Sequence, residues 1–128
     1  MFSLVDAKNG YWQVELEDES SYLTTFNTPF GRYRWLRLPF GVCSASEEYQ
    51  QRMMMALEGL RGICVVADDV LVYGKGENDQ EAELDHDRNL ISLLNRGREM
   101  NLKLNEEKFQ YKLNKIDYIG HTVSKAGV

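Results

Sequence analysis

Two prolines and two cysteines are all that this 128-residue chain holds of either. With Pro29 and Pro39 alone there is no proline-rich linker, and no repeat or low-complexity tract divides the chain. Cys43 and Cys64 have no metal or redox spacing and are too few for a disulfide framework. Each is expected to be a small core or near-core residue, reduced, in an intracellular setting. Long hydrophobic runs are missing too. Nothing approaches the roughly 20 apolar residues of a membrane span, and no signal peptide follows Met1, so no membrane partner is expected. Positive charge is also short: 15 Lys and Arg stand against 20 Asp and Glu, a net charge of −5. That balance argues against a self-sufficient nucleic-acid binder, which carries a basic face.

The basic residues that are present gather at Arg32, Arg34 and Arg37, with Arg52 beyond. They form either a solvated strand face or a phosphate contact. Acids alternate from Glu77 to Asp87, as in a solvated loop and helix start.

With 43% hydrophobic residues the chain can build one domain and its core. "FSLVD" (Phe2 to Asp6) reads as a strand ending on an acid, before an Asn9-Gly10 turn. "YLTTFNT" and "RYRWLRL", joined through Pro29-Phe30-Gly31, predict a hairpin over residues 22–38. The first helix is expected from Ser44, with Ser44 and Glu47 at capping-box spacing and Ala45, Tyr49, Met53, Ala56 and Leu57 on one face. Its methionines read as core filler. Gly59 and Gly62 end it, and strands follow over 63–67 and 70–73. A second helix is expected from about Gln80 to Met100, burying His86, Leu90, Leu93 and Leu94, before short strands at "LKL" and "KIDYIGHTV". The order β, ββ, α, ββ, α, β is not that of a doubly wound parallel sheet. It predicts an α+β fold: an antiparallel sheet with helices on one face, the ferredoxin-like or palm arrangement.

Asp68 and Asp69 interrupt the otherwise apolar "VVADDVLVY". Adjacent carboxylates repel, and apolar surroundings make each charge costlier. As the turn of a hairpin, Asp-Asp is a poor choice beside Asn-Gly or Asp-Gly. One reading is an ordinary exposed acidic turn. The other needs a third acid, and Asp6 ends the other strand that reads as core. If those strands are neighbours, the converging carboxylates make a hard-oxygen site for Mg²⁺ or Mn²⁺. Two such ions would stabilise both the attacking and the leaving oxygen of a phosphoryl transfer.

The blocks "FSLVDAKNGYWQV", "TTFNTPFGRYRWLRLPFGVCSASEEYQQRM", "VVADDVLVYG", "LKLNEEKF" and "DYIGHTVS" resemble, in that order, the palm of a reverse transcriptase. The likeness is to the gypsy-type class of LTR retrotransposons and covers nearly all of residues 1–128. It implies an RNA-directed DNA polymerase that uses two Mg²⁺ or Mn²⁺ ions. Its partners would be an RNA or DNA template with a primer, and deoxynucleoside triphosphates. By the same resemblance Asp6 and Asp68 hold both metals and Asp69 supports them. Tyr11, otherwise a plain core aromatic, lies under the incoming sugar and leaves no space for a 2′-OH. Phe40 and Gly41 form the loop beside the incoming nucleotide, and Gln50 is a polar residue of the following helix at the nucleotide site. Tyr118, Gly120 and His121 match the turn that grips the primer end, although His121 also fits a surface strand. The family usually has Tyr where Val66 stands here, a departure that bears on primer placement rather than on the metal ligands.

The chain starts at the first catalytic strand, so the expectation is a partial domain with incomplete fingers, no thumb and no RNase H. Most phosphate-binding basic residues would then lie on those other segments of the polyprotein. Two rivals stand beside this reading. A phospho-acceptor receiver domain also places paired acids near Mg²⁺, but after its first strand and in regular alternation. A truncated or domesticated palm remnant would keep the fold as a structural or binding module without activity.

Overall fold

The computed structural model describes residues 1–127. In chain order its elements are β1 (Phe2–Asp6), α1 (Asp18–Tyr22), β2 (Phe26–Thr28), β3 (Gly31–Tyr33), α2 (Ala45–Ala56), β4 (Ile63–Val66), β5 (Asp69–Tyr73), α3 (Asp79–Glu99), β6 (Gln110–Leu113), β7 (Lys115–Tyr118) and β8 (His121–Ser124). The fold is α+β, as expected. β4, β5, β1 and β6 lie in that order in one antiparallel sheet, with β2–β3 and β7–β8 as separate hairpins.

Strand alternation divides the central sheet into two faces. The register pairs Ser3 with Val72 and Val5 with Val70 on one face, and Leu4 with Leu71 and Asp6 with Asp69 on the other. The first face meets both long helices. Val5, Val70 and Val72 share a buried cluster with Ala45, Tyr49 and Met53 of α2 and Leu90 and Leu93 of α3. Each fully buried aliphatic side chain there contributes roughly 1.5–3 kcal/mol. The second face carries the acids, and the β7–β8 hairpin reaches it through the Tyr118 hydroxyl, which donates to Asp69 O at 3.3 Å. Both long helices thus pack on one face, and the acids lie on the other.

One polar network ties α3 to the sheet. Buried His86 meets Ser3 Oγ through Nε2 at 2.7 Å and Asp87 Oδ1 through Nδ1 at 3.1 Å. Ser3 Oγ also accepts from Lys112 N at 3.0 Å. A neutral ring with its proton on Nδ1 satisfies every bond, because the serine then donates to Nε2.

Several local expectations fail for physical reasons. Ser44 makes no capping bond, because its φ of −91° and ψ of 1° are not extended. A side-chain cap forms instead on α3, where Asn78 accepts from Glu81 N at 2.9 Å and Glu81 accepts from Glu77 N, one residue before the cap, at 3.0 Å. Leu94 is 44% exposed, since it sits one position round the helix from fully buried Leu93. The predicted 22–38 hairpin is shorter because its ends are recruited elsewhere. Tyr22 closes α1, while Leu38 N donates to Val14 O at 2.9 Å and Leu16 N donates to Leu36 O at 2.9 Å. "LKL" supplies only an isolated bridge, Leu104 to Ala7, and the polar strand β6 was not anticipated. Both Cys43 and Cys64 are exposed, contrary to the core expectation, and Cys64 points outward from edge strand β4.

Candidate active site

β1 delivers Asp6 and the β4–β5 hairpin delivers Asp68 and Asp69 to the same edge of the sheet. Backbone bonds hold the two together: Asp6 pairs with Asp69 in the ladder, and Ala7 N donates to Asp68 O at 2.9 Å. The hairpin turn is one residue earlier than the sequence suggested. Val66 pairs with Asp69, so Ala67 and Asp68 form the turn and Asp69 belongs to β5. Ala67 takes the left-handed region at φ 52°, which costs a non-glycine residue on the order of 1 kcal/mol. Gln50 braces it: its amide donates to Val65 O at 2.9 Å and accepts from Ala67 N.

The three acids each offer a carboxylate oxygen, and these oxygens lie within 4.8 Å of one another. Asp6 is buried, and its Oδ1 has no hydrogen-bond partner. Its Oδ2 meets Lys108 Nζ at 3.3 Å. Burial, with the charge of Asp6 close by, raises the Asp68 carboxyl above the usual carboxylate range. Burial and the charges of Asp68 and Asp6 do the same to Asp69. A buried oxygen lacking a donor, among like charges that resist ionisation, fits a hard divalent cation bound through oxygen.

The other singled-out residues fall into three groups. Tyr11 packs between Phe40 and Tyr49, with ring centroids 4.9 and 5.2 Å away, and its hydroxyl donates to Ser46 Oγ at 3.2 Å. Phe40 is largely exposed, followed by exposed Gly41 at φ 87°. Gln50 forms the second group alone, with its amide engaged by the hairpin turn. The third is the β7–β8 turn, where Tyr118 and His121 pair across Ile119 and Gly120, both left-handed. The Tyr118 hydroxyl donates to Cys64 O at 3.2 Å as well as to Asp69 O, and burial pushes it up to about 12. His121 is exposed.

Two residues escaped the sequence reading. Tyr49, read only as helix core, has a buried hydroxyl with no partner and is pushed upward by burial and then by the charge of Asp68. Lys108 lies within the quoted "LKLNEEKF" block, but nothing in the sequence joined it to Asp6.

Residues 1–123 match the family described as reverse transcriptase (RNA-dependent DNA polymerase), and the chain belongs to that family. It is 33% identical over 98% of its length to the enzymatic polyprotein of Figwort mosaic virus (strain DxS), and covers 18% of that protein. It is also 33% identical, over 99% of its length, to the retrovirus-related Pol polyprotein from transposon 412 of Drosophila melanogaster, covering 10% of it. The chain therefore spans less than a fifth of either relative. Its fold matches a foamy viral protease-reverse transcriptase solved in complex with double-stranded DNA, with a TM-score of 0.83 at 21% identity, over 98% of this chain and 21% of that one.

Proposed function

We propose that this chain is the catalytic palm segment of a gypsy-type LTR retrotransposon reverse transcriptase, an RNA-directed DNA polymerase that adds nucleotides to a primer 3′-hydroxyl. The convergence of Asp6, Asp68 and Asp69 around an unpartnered buried oxygen carries this reading. Asp6 and Asp68 would hold two Mg²⁺ or Mn²⁺ ions, with Asp69 supporting. When bound, such ions stabilise the attacking and leaving oxygens of an in-line phosphoryl transfer.

The chain's own residues do the positioning. β1 and the β4–β5 turn fix the backbone that carries the three carboxylates through ladder bonds. The Tyr11 ring, wedged between Phe40 and Tyr49, is a rigid floor for the sugar of an incoming deoxynucleoside triphosphate and excludes a 2′-OH. Gly41, at positive φ and without a side chain, lets backbone approach that nucleotide. The β7–β8 turn, with Tyr118, Gly120 and His121, would hold the primer end on its RNA or DNA template. Fingers, thumb and RNase H segments of the polyprotein would supply the remaining contacts.

The test is Mg²⁺-dependent extension of a DNA primer on an RNA template by a polypeptide carrying this chain between those segments. Extension is expected, with near-complete loss in Asp6→Asn. The isolated 128 residues should be nearly inactive, because positioning and charge neutralisation dominate phosphoryl transfer. Undiminished extension by Asp6→Asn would overturn the assignment, and an inert polypeptide with an intact site would favour a domesticated remnant.

A further inference from the structure

We propose that Lys108 is a built-in counter-ion of the acid cluster, seated on Asp6 when no divalent cation is bound and displaced when one arrives, so that it sets the cation affinity of the site. The inference rests on the metal reading of that site. Its geometry is distinctive because the lysine's backbone is fixed and its side chain is not. Asn105 N donates to Asp6 O at 2.7 Å, and Lys8 N donates to Lys103 O at 2.9 Å, which clamps the segment before Lys108 against the end of β1. Lys108 then closes the short 3₁₀ turn Glu106–Lys108, which the Asn105 side chain caps by accepting from Glu107 N at 3.1 Å. From that anchor Nζ reaches Asp6 Oδ2 at 3.3 Å, while the side chain stays 67% exposed and can swing into water.

The ammonium is the one cation paired with the cluster among the described residues. A small open groove of about 340 Å³ is lined by Leu4, Asp6, Asp69, Lys108 and Phe109, so the lysine and two of the acids face the same solvent-accessible space. A monovalent ammonium satisfies one oxygen of Asp6 and leaves Oδ1 without a partner. A dication bound by several carboxylates would answer both needs, and it would repel the ammonium it replaces.

The counter-ion has opposite consequences with and without metal, which makes it testable without any activity assay. Mn²⁺ binding to the chain can be followed by the loss of the free-ion EPR signal, alongside thermal melting in chelator. Lys108→Met removes the charge at similar length and should tighten Mn²⁺ binding by about fivefold to tenfold, since an exposed ion pair and a repulsion are lost together. The same variant should melt lower than the parent in chelator. Lys108→Arg should restore both values towards the parent, and Lys103→Met, which removes a nearby lysine outside the cluster, should change Mn²⁺ affinity by less than about twofold and leave the melting temperature where it was. Unchanged Mn²⁺ affinity in Lys108→Met, with Asp68→Asn still abolishing binding, would overturn the counter-ion and leave the metal site standing. No Mn²⁺ binding by the parent or by Lys108→Met would overturn both.

Discussion

Replacing Gln50 by alanine separates two roles that this residue could play. Its amide makes two bonds to the backbone of the catalytic turn, donating to Val65 O and accepting from Ala67 N. Each such bond contributes about 1 kcal/mol net. Both lie in a half-buried setting where water can replace part of the loss, so Gln50→Ala should cost about 1–2 kcal/mol. For a domain of this size that lowers Tm by roughly 4–8 °C, measured by circular dichroism with no nucleotide present. The cost should grow out of the turn itself. Without the brace, Ala67 has less to hold it in the left-handed region, and relaxation there moves Asp68. In the polymerase, kcat should therefore fall more than KM for the nucleotide rises. Gln50→Glu keeps the acceptor for Ala67 N but points an oxygen at Val65 O, and should fall between. An unchanged Tm together with a large rise in KM would refute the brace and return Gln50 to direct nucleotide contact.

A Cβ on Gly10 would overlap the Tyr49 hydroxyl and lie 2.6 Å from its Cζ, against a buried ring. Gly10→Ala should thus destabilise by about 1–3 kcal/mol in thermal melts, and an unaltered Tm would contradict the packing. Asp68 and Asp69 both titrate above their ordinary value in the metal-free fold, so the folded state holds more protons than the unfolded one. In chelator, stability should consequently fall as pH rises upward from about 4, and Asp68→Asn should flatten that slope and raise Tm slightly. Saturating Mg²⁺ should remove the effect, and a slope of opposite sign arising from this cluster would contradict the assignment. Asp87 is lowered by hydrogen bonds from Lys112 and then His86, and gives the reverse dependence. Its stabilisation is present above about pH 4 and is lost on acidification, and Lys112→Met should reduce it in the same melts, leaving the smaller share that His86 supplies.

The part of the site made by strand periodicity could be read from residues alone. "FSLVD" and "VLVY" announced two core strands, and an acid at the end of each predicted the meeting of Asp6 with the Asp68-Asp69 pair. The family blocks added Tyr11 and Phe40, which do share one ring contact. What stayed hidden depended on backbone conformation or on distant partners. The left-handed Ala67 shifts the turn by one residue, and alanine gives no signal for that conformation. The capping box at Ser44 had the right residue types on a backbone that does not present them, whereas Asn78 and Glu81 did the same work unannounced. Lys108 meets Asp6 only because β6 and its preceding turn fold back beside β1, a pairing with no short-range signature.

The ladder sets Asp6 directly opposite Asp69, while Asp68 occupies the turn beyond it. Proximity along the strand therefore does not by itself choose which acid of the pair shares both metals with Asp6. The direct measurement is primer extension by Asp68→Asn and Asp69→Asn polymerases, side by side at one fixed Mg²⁺ concentration. Near-complete loss is expected in Asp68→Asn, as in Asp6→Asn, with the Asp6→Asn/Asp68→Asn double variant little worse than either, because groups acting as a unit are not additive. Asp69→Asn should retain clearly more activity. Equal loss, or greater loss at Asp69, would mean that the metals are held by Asp6 and Asp69 across the ladder and not by Asp6 and Asp68.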